Sequence, residues 1–222
     1  MITGDLYEPP TVLERVQTDR GELVLREAAG RFEVISNGVF LMDTSDGRSE
    51  RLLVDAAVAR CATPAPRLLI GGLGVGFSLL RAVAHDQVTA IDVVEIEASI
   101  IDWHARHLRH LTGAALADPR VRVIESDILE WLKITTGRYD AICLDTDNGP
   151  SWLVFDTNSE VYEAHGLDLA YGCLRPAGVL AVWSASRDRA YEDRLRARFG
   201  EVDVLETPQE RGVPDVVYVV RR

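Results

Sequence analysis

Hydrophobic and polar residues alternate over short distances in the first part of the chain. Four segments there have the composition of β-strands, at residues 11–17, 22–27, 31–36 and 39–43. Asn37-Gly38 suits a two-residue type I′ turn, because both residue types tolerate positive φ angles. The pattern therefore predicts a small β-hairpin region over residues 1–47. Its strand edges need covering, so we expect a homodimer or a higher homo-oligomer.

The spacing of apolar residues becomes helical at Ser49 and is broken by a proline-containing turn at residues 63–66. Strand-like and helical patterns then alternate, with apolar strand segments at residues 67–70, 88–94, 121–124, 139–144 and 179–184. The tail indicates a closing hairpin, at residues 202–206 and 215–220. Residues 48–222 are therefore predicted to form one α/β domain, with a sheet of about seven strands that ends in an antiparallel C-terminal hairpin.

Four glycines separate the first strand of this domain from its helix: Gly71, Gly72, Gly74 and Gly76. Such a loop lets the backbone approach a ligand, and the helix that follows presents unpaired N–H groups to the polar part of a nucleotide-like molecule. The next strand ends in Glu95, at a position where a carboxylate binds ribose hydroxyls in nucleotide-binding α/β sheets. The alternative is a tight strand-to-helix turn that binds no ligand.

The spacing of the glycines distinguishes between possible ligands. A dinucleotide fingerprint needs G-x-G-x-x-G, but Phe77 occupies the position of the third glycine and would obstruct packing of the helix against the strand. The spacing therefore disfavours NAD. The G-x-G-x-G formed by Gly72, Gly74 and Gly76 resembles the first motif of the class I transferases that depend on S-adenosylmethionine (SAM), which have a Rossmann-like fold.

Two later acidic residues are candidates for the same crevice. Asp127 follows the third strand, where with Ile128 it can contact adenine or simply cap the helix that begins there. Asp145 follows the fourth strand and should face the same crevice, because the carboxyl ends of parallel strands share one sheet edge. A plain turn motif is the alternative for Asp145. Residues 149–158, which include Trp152, are predicted to cover the crevice.

The histidines of the chain invite a metal-binding interpretation. His104, His107 and His110 lie on a predicted helix from about Ala98 to Leu111. Their spacing spreads them around the helix, so they cannot converge on one ion, and no pattern of cysteines or carboxylates completes a site. We therefore expect no metal and a solvated helix face.

Composition limits the possible partners and the location. The 222 residues carry a formal net charge of −11, which argues against binding to nucleic acid and permits a small cationic substrate. The sequence has no apolar run of membrane-spanning length and no signal-like start, so we expect a cytoplasmic protein that does not contact membranes. The cysteines are far apart in apolar surroundings and are predicted to be buried reduced thiols: Cys61, Cys143 and Cys173.

A series of segments in order resembles the spermidine-synthase family of polyamine aminopropyltransferases: IGGLGVG, VVEIE, DPRVRVIESD, YDAICLD and LRPAGVLAVWS. Members of this family transfer an aminopropyl group from decarboxylated SAM to an amine. The resemblance implies that Glu95 and Ile96 contact the ribose of the donor and that Asp127 contacts its adenine. It further implies that Asp145 orients and deprotonates the attacking amine. Glu50 corresponds to a family glutamate on the helix before the glycine loop.

The departures from the family pattern concern the donor and the acceptor. Gly74 stands where the family has an aspartate that helps to hold the aminopropyl ammonium. Its absence removes a charge that would repel the α-carboxylate of intact SAM, an effect of about 1–4 kcal/mol at about 4 Å. Asn148 replaces a second family acid, for which the neighbouring Asp147 is a possible substitute. Arg48 and Ser49 replace a tyrosine and a glutamine or histidine.

The sequence thus predicts a SAM-dependent transferase of spermidine-synthase-like fold that transfers a methyl group to a small molecule. Asp145 is the predicted proton acceptor, and Trp152 the wall of an acceptor pocket that also contains Glu50, Asp147 and Asn148. One alternative is aminopropyl transfer from decarboxylated SAM to a polyamine. The other is a non-catalytic SAM-binding scaffold, which would bind the donor without turnover.

Overall fold

The computed structural model describes residues 9–136, 138–153, 158–209 and 212–222. The chain divides into two compact units, Met1–Asp46 and Gly47–Arg222. The first unit is an antiparallel sheet whose strands follow one another in sequence order: β1 (Thr11–Thr18), β2 (Gly21–Ala28), β3 (Arg31–Ser36) and β4 (Val39–Asp43).

The hairpin prediction for the first unit is confirmed. Asn37 and Gly38 join β3 to β4 with φ angles of 50° and 79°, and a type I′ turn needs positive φ at both positions. Val12, Val39 and Phe40 are about half exposed, at 50%, 47% and 49%. The homo-oligomer that would cover such residues stays a prediction.

The second unit is built from alternating strands and helices. Its strands are β5 (Arg67–Gly71), β6 (Ala90–Glu95), β7 (Val121–Glu125), β8 (Tyr139–Leu144), β9 (Leu174–Ser184), β10 (Val202–Thr207) and β11 (Asp215–Arg221). Its helices are α1 (Arg48–Ala59), α2 (Phe77–Val83), α3 (Ala98–Arg106), α4 (Arg109–Leu116), α5 (Ile128–Ile134), α6 (Ser159–Tyr162), α7 (Ala164–Cys173) and α8 (Arg189–Phe199).

The strands of the second unit form one seven-stranded sheet in the order β10-β11-β9-β8-β5-β6-β7. Strands β9, β8, β5, β6 and β7 are parallel, and β11 pairs antiparallel with both β9 and β10. The chain reverses its direction of travel across the sheet between β5 and β8, and ligands of open α/β sheets bind at such a switch point, beyond the carboxyl ends of the strands. The predicted Rossmann-like fold with an antiparallel C-terminal hairpin is confirmed.

A network of charged and polar side chains around the buried Asp92 joins the four strands on the β7 side of the sheet. Asp92 in β6 accepts hydrogen bonds from Arg67 in β5 (2.7 Å), Arg122 beside it in β7 (2.9 Å) and the hydroxyl of Tyr139 in β8 (2.9 Å). Burial opposes ionisation of Asp92, but these three donors outweigh it and lower its pKa. The network fixes the relative positions of the strands whose far ends carry the candidate site.

Three sequence predictions need correction. The helix predicted from about Ala98 to Leu111 is broken between α3 and α4, where Leu108 N donates to Trp103 O at 2.8 Å. The helix predicted for residues 160–174 is likewise divided into α6 and α7. Cys143 and Cys173 are buried as predicted, whereas Cys61 is partly exposed, and all three are free thiols.

Among the described helices, none has both the length and the apolar character needed to cross a membrane.

Candidate active site

The glycine loop connects β5 to α2, and at one position, Gly72, only a glycine fits the path of the backbone. Gly72 has a φ of 94°, and a Cβ added to it would lie 2.0 Å from the carbonyl oxygen of Asp145. Asp145 N in turn donates to Gly71 O at 2.8 Å. The loop after β5 therefore lies directly against the end of β8, and no side chain fits between them.

Glu95 lies at the carboxyl end of β6 and is bonded to the glycine loop. The residue is only 7% exposed, and its Oε2 accepts a hydrogen bond from Leu73 N at 2.8 Å. Its Oε1 accepts one from Glu97 N at 2.9 Å. Burial raises the pKa of Glu95 against the effect of these backbone donors. The N–H of Gly74 is a third backbone donor to this carboxylate. A carboxylate has about four acceptor sites, so one remains for a ribose hydroxyl of a nucleoside donor.

Asp127 and its neighbours lie at the next strand of the same edge. Asp127 caps α5, because its Oδ1 accepts two backbone N–H groups of the first helical turn at 2.7 and 3.2 Å. Ile128 is buried, and its Cδ1 would lie 3.3 Å from a Cβ placed on Gly71, so α5 packs against the start of the loop. Ile96, just beyond Glu95, is 37% exposed. The capping alternative is therefore realised, and the adenine contact stays a prediction.

Asp145 is the acidic residue of the site with the most unusual electrostatic environment. Its Oδ2 accepts a hydrogen bond from Ser78 Oγ at 2.9 Å. The side chain is partly buried, and its pKa is raised to about 7. Burial is the largest cause, the charges of Glu50, Asp215 and Glu95 also raise the pKa, and the hydrogen bond from Ser78 lowers it. An acid with this pKa can change its protonation state at neutral pH.

Sequence reasoning missed Asp215. It is the first residue of β11, which runs antiparallel to β9, so it lies at the edge where β9 ends. Ser49 Oγ lies 2.7 Å from Asp215 Oδ2 and 2.9 Å from Glu50 Oε2, and Gln209 Nε2 donates to the same Asp215 oxygen. In the sequence, Asp215 is only an acid at the start of the last strand. Its position near Asp145 follows from the antiparallel pairing of β11 with β9, which the sequence pattern does not show.

The segment after β8 holds the remaining predicted acceptor residues. Asp147 is 8% exposed and its two oxygens accept hydrogen bonds from Asn148 N and Asn158 Nδ2, both at 2.7 Å. Asn148 is also buried, whereas Trp152 is 56% exposed. Residues 154–157 of the predicted covering segment lie outside the described residues. The roles of these residues toward an acceptor stay predictions.

The expectation of a solvated histidine face is wrong for one of the three histidines. His104 is fully buried, with Nε2 2.9 Å from Gly74 O and Nδ1 2.7 Å from Thr112 Oγ1, whereas His110 is exposed. The helix break after α3 brings α4, and with it Thr112, back onto the imidazole. Within the described part of the chain, no group of His, Cys, Asp or Glu side chains is arranged to hold a metal ion.

Comparison with known proteins identifies the family. A sequence model described as the spermine/spermidine synthase domain matches residues 50–191, more than half of the chain. The chain belongs to this family. One relative is the polyamine aminopropyltransferase of Thermococcus onnurineus, which is 30% identical to this chain over 152 residues. Putrescine N-methyltransferase 3 of Nicotiana tabacum is 26% identical over 175 residues.

These alignments cover 68% and 77% of this family member but 51% and 44% of the two relatives, so the chain spans about half their length. Both relatives are transferases by name. The crystal structure of spermidine synthase in complex with the transition state analogue AdoDATO has a TM-score of 0.80 at 17% identity, over 95% of this chain and 73% of that one. Spermidine synthase from Thermotoga maritima gives 0.77 at 17% identity, over 95% and 72%. The structural likeness shows the fold, and the predicted family resemblance is confirmed.

The contact at Gly72 gives a prediction for stability. Gly72→Ala should lower the free energy of unfolding by about 2–4 kcal/mol, because the added methyl group overlaps a backbone oxygen that cannot turn aside. Gly200→Ala is the matched control, since Gly200 has a φ of 95° but nothing within 4 Å of an added Cβ. Denaturant unfolding measures both variants. Equal losses would show that positive φ, and not the approach to Asp145, accounts for the glycine.

Proposed function

We propose that the protein transfers a methyl group from SAM to a small-molecule acceptor, with a cationic amine as the acceptor class. The observation that carries the proposal is the contact of Gly72 with the backbone of Asp145, while Glu95 is bonded to the same loop. Groups suited to a donor nucleoside therefore adjoin an acid that can receive a proton.

Three parts of the crevice would hold the donor. Glu95 would accept a hydrogen bond from the ribose, and Ile96 and Ile128 would contact the adenine through their apolar side chains. Both capping bonds of Asp127 use Oδ1, so among the described contacts Oδ2 remains for an exocyclic amino group. When bound, SAM supplies an activated methyl carbon on a sulfonium. The tasks left to this chain are to align the acceptor, exclude water and take one proton.

Asp145 is the proposed proton acceptor. Its pKa of about 7 leaves it partly ionised at neutral pH in the absence of an acceptor. A cationic amine beside it would offset the repulsion from Glu50 and Asp215 and so favour the carboxylate, which is the form that can take a proton from the amine. Ser78 holds Oδ2 in a fixed orientation, which leaves Oδ1 for the acceptor.

Two features support methyl transfer from intact SAM. The loop has no acid at Gly74, so nothing at this point of the loop repels the α-carboxylate of SAM or attracts an aminopropyl ammonium. The relatives of this chain also include proteins named putrescine N-methyltransferase, as well as polyamine aminopropyltransferases. A change of transferred group within one family is therefore represented among them.

Aminopropyl transfer from decarboxylated SAM is the second candidate. Glu50 and Asp215 near Asp145 favour it, because these acids offer places for a further ammonium group in spite of the missing loop acid. The third hypothesis is a scaffold protein that binds the donor without turnover. It accounts for the site at Glu95 but not for the raised pKa of Asp145.

The donor preference follows from Gly74. Wild type should bind SAM at least as tightly as decarboxylated SAM, and Gly74→Asp should reverse this order. Gly74 has a φ of 52°, in the left-handed region, which strains any side chain but which Asp and Asn enter more readily than most residues. Gly74→Asn, with the same shape and no charge, should affect both donors alike. Competition calorimetry with both donors measures this preference. If wild type binds decarboxylated SAM tenfold more tightly, about 1.4 kcal/mol, the hypothesis of aminopropyl transfer replaces that of methyl transfer.

The role of Asp145 predicts a pH dependence. For methyl transfer to a diamine, kcat/KM should rise with pH through about 7, because only the ionised carboxylate accepts a proton. Asp145→Asn should remove this rise and lower kcat by about 100-fold or more. Asp193→Asn, on the exposed face of α8, should leave the profile unchanged. Mass spectrometry of the product distinguishes methyl from aminopropyl addition, and donor binding without any product would support the scaffold reading.

A further inference from the structure

The mechanism proposed above does not use His104, although this residue lies against the glycine loop. Its side chain and that of Thr112 are both fully buried. Burial lowers the pKa of His104, which outweighs the opposing effect of its bond to the Gly74 carbonyl. The imidazole is therefore neutral at neutral pH. A neutral ring has one donor and one acceptor nitrogen, so its two contacts determine which nitrogen carries the proton.

The contacts of His104 give a single consistent tautomer. Nε2 lies 2.9 Å from the carbonyl oxygen of Gly74, which can only accept, so the proton is on Nε2. Nδ1 lies 2.7 Å from Thr112 Oγ1 and, having no proton of its own, accepts the hydroxyl proton in preference to Leu108 O, which lies farther from the same hydroxyl at 3.2 Å. A directed chain of hydrogen bonds results, in which Thr112 donates to His104 and His104 donates to the loop.

The glycine loop is held by His104 and Thr112 on one side and by Glu95 on the other. A Cβ added to Gly76 would lie 2.4 Å from Thr112 Cγ2 and 3.3 Å from His104 Cε1, so the loop packs directly on the pair. The N–H groups of Leu73 and Gly74 bond to the carboxylate of Glu95. Gly74 is thus fixed at its carbonyl by His104 and at its amide by Glu95.

We propose that His104, oriented by Thr112, is a positioning residue of the donor site. By fixing the carbonyl of Gly74, it sets the direction of the loop N–H groups that hold Glu95 in place for the ribose of the donor. This inference rests on the proposed function, because the donor is what Glu95 is held to bind. His104 itself touches no reacting atom.

Two substitutions separate the bond to Gly74 from the bond to Thr112. His104→Gln keeps an N–H donor near the position of Nε2, whereas His104→Asn places its amide near Nδ1 and cannot reach Gly74. By calorimetry at a temperature where each variant is folded, S-adenosylhomocysteine should bind His104→Gln within about threefold of wild type and His104→Asn about tenfold more weakly. Wild-type affinity in His104→Asn, or equal weakening in both variants, would overturn the proposal. His110→Asn, an exposed histidine change, should have no effect.

Thr112→Val tests the orienting step without relying on a folded His104→Asn. Valine keeps the methyl group that contacts Gly76 and removes only the hydroxyl, so affinity should fall about threefold. Nitrogen-15 NMR of the ligand-free wild type should show a protonated Nε2 and an unprotonated Nδ1. The opposite tautomer, or unchanged affinity in Thr112→Val, would contradict the proposed chain of hydrogen bonds.

Hydrogen exchange separates this proposal from the proposed function. In the ligand-free protein, His104→Asn should speed exchange of the Leu73 and Gly74 amides and leave that of Val93, inside β6, unchanged. If wild type binds neither S-adenosylhomocysteine nor methylthioadenosine, the proposed function fails, whereas the exchange rates still report whether His104 fixes the loop. Unchanged exchange at Leu73 and Gly74 would overturn the positioning role even where the donor product binds.

Discussion

The approach of Gly72 to the carbonyl of Asp145 is the constraint on which the rest of the site depends. The distance of 2.0 Å from a hypothetical Cβ to that oxygen means that only glycine lets the loop after β5 meet the end of β8. Through this contact, the loop that is bonded to Glu95 lies directly against Asp145, the residue that follows β8. Donor and acceptor groups can then be held next to each other without a flexible segment between them.

Charge is the second organising feature of the crevice. Glu50, Glu95 and Asp215 all act on Asp145 and raise its pKa, in addition to the effect of burial. This arrangement disfavours the ionised form of Asp145 when no ligand is bound, and it favours binding of a cation among these groups. The net charge of −11 agrees with a cationic partner, although the local arrangement carries the argument and the overall charge does not.

Much of the site could be predicted because its residues follow strand ends. The glycines at the end of β5, Glu95 at the end of β6 and Asp145 after β8 are adjacent in any parallel sheet of this order, so a local pattern was enough to predict their positions. His104 could not be placed in the same way. Its environment depends on the break between α3 and α4, which returns Thr112 to the imidazole, and helical periodicity alone does not show such a break.

Asp215 escaped prediction for a related reason, since its position relies on pairing between β11 and β9 from distant parts of the chain. Asp127 shows the opposite case, in which one residue satisfied a local rule, helix capping, that the sequence already suggested. Local rules thus located the groups at strand and helix ends, and the groups that arrive by tertiary packing required the structure.

The most direct test of the central claim, that the glycine loop and Glu95 bind an adenosyl donor, is a calorimetric titration with S-adenosylhomocysteine. We predict binding to wild type, and binding weakened by about 1–3 kcal/mol in Glu95→Gln through loss of charge-assisted hydrogen bonds. Glu125→Gln, at the exposed residue paired with Glu95 in β7, should bind as wild type does. Tight binding of NADH, with no response to S-adenosylhomocysteine or methylthioadenosine, would contradict the claim.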